Sequence, residues 1–163
     1  MKIRVPNEIL LPRIAEAVAS GQSVRMRVRG NSMRPLLYDL RDEAVVSPFT
    51  NEDLVRGTIV LAYLPDTDRF VMHRIWSRDN SHLVLRGDGN VGLTEPCLIS
   101  DVRGIVKQIF RNGKSVNLES FRWKLFQHVW MSLYPVRRYL LACIRIWREP
   151  ACFFPMVKKF IQK

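Results

Sequence analysis

The sequence predicts a mainly β protein: a compact antiparallel core, preceded by a short helix and followed by a basic helical tail. Three observations carry this. Short runs rich in Val, Ile, Leu and Phe recur along residues 22–110, separated by clusters of Gly, Pro, Asn and Asp. No helical pattern alternates with them, so βαβ units and a parallel sheet are not indicated. Charge is segregated: residues 1–120 hold 17 Lys and Arg against 14 Asp and Glu, whereas residues 121–163 hold 9 against 1. A chain of 163 residues suffices for one domain with a real core. Its expected parts are an N-terminal helix over 1–21, a core over 22–119 and a basic amphipathic tail over 120–163.

Taken in order, Asn7 after Pro6 is the expected N-cap. Leu10, Leu11, Ile14, Ala15 and Val18 recur at helical spacing, and Gly21 ends the helix. In "SVRMRVRG", Val24, Met26 and Val28 alternate with Arg25, Arg27 and Arg29, the signature of a half-buried strand with an arginine face. Further strands are expected at 43–47, 57–64, 69–77, 82–87 and 102–110. Turns are expected at "PDTD", "RDNS" and "GDGN".

From Phe121 the pattern changes. Val136, Tyr139, Leu140, Cys143, Ile144 and Trp147 fall on one helical face, with Arg137, Arg138, Arg145 and Arg148 largely on the other. Pro135, Pro150 and Pro155 cut the tail into about three pieces. Three of the four tryptophans, Trp123, Trp130 and Trp147, lie here. An arginine face opposite an aromatic face suits an anionic membrane interface. The same helices could equally pack their apolar faces on the β core.

Cys97, Cys143 and Cys152 are an odd set without metal-ligand spacing. Reduced thiols in a cytoplasmic compartment fit them better than a disulfide framework. The first twenty residues contain Glu8, Pro12, Arg13 and Glu16, unlike a signal peptide, and no window suits a spanning helix. No P-loop, Rossmann fingerprint, HExxH or paired CxxC is present, so no cofactor and no metal are expected.

What remains is "RGNSMRPLL", in which Ser32 is either a turn residue or a nucleophile. A serine hydroxyl attacks only when a base takes its proton. After Lys2 the next lysine is Lys107, so a lysine base near Ser32 has little support. The histidines are His73, His82 and His128. His73 sits in an expected strand, His82 opens another beside a turn, and His128 lies in the tail. An imidazole titrating near 6.5 needs no large shift to act as a base near neutrality. Taken alone, a strand histidine is more often structural.

Five segments in order add weight. "GNSMRPLL" resembles the nucleophile box of signal peptidases and LexA-type self-cleaving repressors. "EDLVRGTIVLAYL" is similar to the strand pair that follows it. "RFVMHRI" lines up with the segment bearing the general base. That base is histidine followed by arginine in the endoplasmic-reticulum type of signal peptidase. "LRGDGN" resembles that branch's turn, and "ISDVRGIV" its closing strand. The resemblance covers residues 22–110 and implies a β catalytic core that hydrolyses peptide bonds, with Ser32 as nucleophile and His73 as base. It implies an oxyanion hole near Asn31 and Ser32, Met33 as a cleft wall, and Pro35 fixing the exit of the turn. For a third member it offers Asp88, in the matching turn, while Glu95 or Asp101 could serve instead, as could backbone alone.

Signal peptidases carry a spanning anchor and LexA-type proteins a DNA-binding domain, and neither is seen before Ser32. The expectation is a stand-alone peptidase acting in the cytoplasm on a leader or precursor peptide. Its tail would rest on the inner face of the membrane, and nucleic acid is not the expected partner. The rival expectation is an inactive peptidase-fold module whose tail binds a membrane surface or nucleic acid.

Overall fold

The structure is a computed structural model that describes residues 6–118 and 120–148, with side chains as far as residue 144. Expectations that rest on Lys2, Cys152, Pro150, Pro155 and the side chains of Arg145, Trp147 and Arg148 lie outside the described residues.

Helix α1 spans Asn7–Ala19. Asn7 is its first helical residue rather than its cap. Pro6 holds the cap position with no side-chain bond, and its carbonyl accepts from Ile9 and Leu10 N–H at 3.1 and 3.0 Å. Proline's fixed φ suits that entry, so the amide of Asn7 is not needed there. Gly21, at φ +90°, ends the helix as its spacing requires. Ile14 and Val18 are buried against Val46 and Leu61 of the sheet. Gly104 permits that approach, since a Cβ there would stand 2.6 Å from Val46 Cγ1 and 3.1 Å from Val18 Cγ1.

The strands are β1 Val24–Arg27, β2 Asp42–Ser47, β3 Ile59–Leu64, β4 Arg69–Asp79, β5 His82–Arg86, β6 Glu95–Leu98, β7 Val102–Arg111 and β8 Lys114–Val116. They form one antiparallel sheet in the order β1-β2-β7-β3-β4-β5-β6, with β8 attached to β7. The alternation predicted for 24–29 is present: Arg25, Arg27 and Arg29 are exposed while Val28 is buried. Residues 57 and 58 precede β3, because Gly57 takes φ +100° and turns the chain.

Two strands were not expected. β6 contains Pro96, which reads as a breaker, but β6 is the last strand of the sheet, where proline costs no ladder bond to a further strand. β8 returns from β7 through Asn112-Gly113, both at positive φ (+50° and +78°). That dipeptide is itself the sequence signal for a tight hairpin.

β4 positions the site. Its first half, Arg69–Arg74, pairs with β3, and β5 joins only from Arg74 onward. The long connection between β1 and β2 carries Ser32. It is pinned because Val28, Met33, Leu36 and Leu37 are buried with Ala44, Ile59, Val106 and Ile109. Its end is tied by Asp42, which is fully buried. Asp42 accepts from Tyr38 N–H at 2.9 Å, from Arg41 at 2.8 and 2.6 Å and from Arg111 at 3.2 Å. Arg111 also donates to the Leu36 carbonyl at 2.7 Å. Burial pushes the Asp42 carboxyl up, but these donors outweigh it and hold it below the usual carboxylate value.

The tail begins with α2, Phe121–Ser132, capped by Ser120 Oγ, which accepts from Trp123 N–H at 3.3 Å. Trp123 packs on the core, and Trp130 and Met131 are buried, so α2 does lie on the β domain. A turn at Tyr134–Val136 leads into α3, Arg137–Arg148. Arg137 is not on an outward charged face: it is 1% exposed and its Nη2 donates to the Trp130 carbonyl at 2.7 Å. The Tyr134–Val136 turn leads directly into this residue, which returns its side chain to the end of α2. Phe121, Leu125, Phe126, Val129 and Tyr139 remain exposed. No helix among the described residues is long and apolar enough to cross a membrane.

Asp42→Ala strands two arginines and an amide without their acceptor. It is expected to lower the unfolding free energy by about 2–3 kcal/mol, read by urea denaturation; an unchanged midpoint would refute this role.

Candidate active site

Ser32 follows Gly30, which takes φ +91° at the close of the β1 segment. Met33 N-terminally anchors a short turn whose Leu37 N–H donates to the Met33 carbonyl at 2.9 Å. Arg34 and Pro35 are joined by a cis peptide bond. The turn 87–90 presses directly on this loop. Gly89 N–H donates to the Ser32 carbonyl at 2.7 Å. A Cβ at Gly89 would stand 2.6 Å from the Asn31 carbonyl oxygen, and one at Gly87 would stand 2.5 Å from that of Ser32. Both glycines of "RGDGN" are therefore required by backbone packing.

Ser32 and His73 line the same cavity, of about 390 Å³. Its walls include Leu11 of α1, Met26 and Val28, Met33, Phe70 and Met72, with Leu93 and Asn90 from the 87–94 segment. Arg29, Arg69 and Glu95 are its charged lining. Among the described residues no hydrogen bond joins Ser32 Oγ to the imidazole. Such bonds commonly tighten only when substrate is bound.

His73 is 4% exposed. Its Nδ1 is in short contact with Glu95 Oε2, leaving Nε2 as the other ring nitrogen. Glu95 Oε1 accepts from Arg69 Nη2 at 2.6 Å. Burial pushes the imidazole below its usual value, and the Glu95 carboxylate opposes this in part.

Asp88, the acid first expected beside His73, serves a different partner. It is 1% exposed and accepts from Arg74 Nε at 3.0 Å and Nη2 at 2.8 Å. Arg74 Nη1 donates to the Gly57 carbonyl at 2.6 Å. Asp88 is held by Arg74 and acts on the imidazole only through space, where its charge favours the imidazolium. Glu95 occupies the place at Nδ1. Asp101 is elsewhere, accepting from Leu98 N–H at 2.9 Å in the turn before β7. Of the three residues expected to bind substrate or oxyanion, Met33 lines the cavity; Asn31 and Pro35 are not among its lining residues. His82 and His128 are exposed and distant in the fold, on β5 and α2.

Two groups entered the site without a prior expectation. Arg69 steadies Glu95, and Leu11 brings α1 into the cavity wall; neither position has a local motif. Cys97 is buried, and burial with the nearby Asp101 and Glu95 pushes its thiol up to about 11, so it stays protonated near neutrality. Among the described residues no group of three His, Cys, Asp or Glu is placed to hold a metal ion. In comparisons with known proteins, no family model, curated protein or solved structure matches this chain.

Gly89→Ala forces a Cβ against the Asn31 carbonyl. It is expected to cost about 1–3 kcal/mol of stability and to shift amide resonances of residues 30–34; unmoved resonances would refute the contact. His73 should titrate below about 6.5 by NMR. The unfolded chain then binds more protons between that lower value and 6.5, so stability falls as pH drops through this window. His73→Gln should flatten that slope, and an unchanged slope would assign it to another group.

Proposed function

We propose that this chain is a serine endopeptidase of signal-peptidase-like mechanism. The observation that supports it most is that Ser32 and a buried, carboxylate-held His73 line one cavity. Ser32 Oγ attacks the substrate carbonyl carbon while His73 Nε2 takes the hydroxyl proton. The tetrahedral intermediate collapses to a Ser32 ester, and the imidazolium gives its proton to the departing amine. Water, deprotonated by the same imidazole, then hydrolyses the ester. Glu95 holds Nδ1–H, which fixes the tautomer with Nε2 free and stabilises the transient imidazolium; Arg69 holds the other Glu95 oxygen in place. Backbone N–H groups of the 30–33 turn are the oxyanion donors in this scheme.

The substrate in this reading is a leader or precursor peptide with small residues at the cleaved bond, processed in the cytoplasm. The tail, through residues 121–163, attaches the enzyme to an anionic inner membrane face. The exposed aromatics Phe121, Phe126 and Tyr139 favour that attachment. A second reading, a non-catalytic module of the same fold, draws on the missing Ser32–His73 hydrogen bond.

Mass analysis of candidate leader peptides incubated with the purified chain separates the two. Wild type is expected to cleave, with Ser32→Ala and His73→Ala each slower by about 10³-fold or more; equal cleavage by Ser32→Ala removes the nucleophile assignment. Activity should rise with pH along an acid limb centred below about 6.5, since burial lowers the His73 value. Glu95→Gln should reduce the plateau and move that limb to still lower pH, because the imidazolium loses its counter-charge. A limb that stays in place would detach Glu95 from the base.

A further inference from the structure

Where β4 and β5 meet the tail, three arginines are buried together. Arg74 is 3% exposed, Arg86 8% and Arg137 1%. Only Arg74 has a carboxylate, Asp88, and both oxygens of Asp88 are engaged by it. Arg86 lies with its Cζ 3.9 Å from the Tyr134 ring centre and 4.3 Å from that of Trp76. Arg137 Cζ lies 5.0 Å from the Trp130 ring and 5.7 Å from Tyr134. Ring contacts of this kind engage the flat face of a guanidinium. Its N–H bonds lie in the plane and need acceptors of their own.

Those acceptors are missing. Arg86 Nε and Nη1, Arg137 Nε and Trp130 Nε1 are all buried, and none has a hydrogen-bond partner among the described residues. With the Trp130 carbonyl already taken by Arg137 Nη2, four further donors in this corner make a one-sided arrangement. Water could accept two hydrogen bonds there, but three guanidinium charges would still share the single Asp88 carboxylate in the interior, at large desolvation cost. An anion with several oxygens meets both demands at once.

We infer that Arg86, Arg137 and Trp130 form a binding site for a phosphate-type oxyanion at the junction of β5, α2 and α3. Bidentate and multidentate recognition of phosphate oxygens is what in-plane guanidinium donors do best. The ligand ties the α2–α3 corner to the sheet and so couples the tail's position to anion occupancy. The phosphate could be inorganic or belong to a lipid headgroup.

The first test follows thermal unfolding of the full chain in inorganic phosphate against chloride at equal ionic strength. Phosphate should raise the midpoint saturably, by about 5–10 °C at a hundredfold excess over Kd. Arg86→Met and Arg137→Met should lose that rise, while Arg13→Met, an exposed helix arginine, keeps it. Equal midpoints in phosphate and chloride for wild type overturn the site, even if the two core variants fail to fold. Sedimentation with phosphatidylglycerol vesicles, against phosphatidylcholine, then assigns the source. Binding competed by inorganic phosphate identifies a lipid headgroup; phosphate stabilisation without competition identifies the free ion. These readouts are independent of peptide cleavage.

Discussion

The rest of the site depends on one backbone contact, the meeting of the Ser32 loop with the 87–90 turn. Gly89 N–H binds the Ser32 carbonyl at 2.7 Å, and no side chain is tolerated where the two backbones touch. This contact orients the serine from behind, through its own carbonyl, while Met33, Leu36 and Leu37 anchor the loop in the core. The hydroxyl therefore needs no side-chain hydrogen bond to hold its approximate place. A loop held this way meets its conformational cost at folding.

Two ionic frameworks brace that contact from different sides. Asp42 gathers Arg41, Arg111 and the Tyr38 amide at the base of the loop, and Arg74 with Asp88 closes the far side of the turn. Buried ion pairs of this sort add little net stability over apolar packing, yet losing one partner is costly. Their consequence is uniqueness: the loop and the turn have one arrangement in which every carboxylate oxygen is engaged. Glu95 differs, because its partners Arg69 and His73 face a cavity rather than a closed interior.

Much of this was legible in the chain. Alternation in 24–29, apolar runs broken by turn residues and the segregated charge of the tail are period and composition signals, and they survive into the structure. Ser32 and His73 were paired by the ordered resemblance of "GNSMRPLL" and "RFVMHRI", with the lack of lysine between Lys2 and Lys107 only narrowing the choice of base. The choice among Asp88, Glu95 and Asp101 was not readable, since it turns on which acid the folded sheet brings against Nδ1. Had "TEPCL" been taken as an edge strand, the alternation would have sent Glu95 and Cys97 inward and left Pro96 and Leu98 exposed, as observed. Arg137 was misplaced for a related reason: a helical wheel knows the faces of α3 but not the direction from which the chain enters it.

β4 places His73 and Arg74 on adjacent residues, one held by Glu95 and the other by Asp88. The two sides of this strand thus share one parity. Inserting or deleting a single residue between Arg69 and Arg74 would exchange the faces of both groups at once. Length variation in this half of the strand is therefore restricted: steps of two keep both faces, and a step of one needs a bulge like the one β4 carries between Ile75 and Ser77.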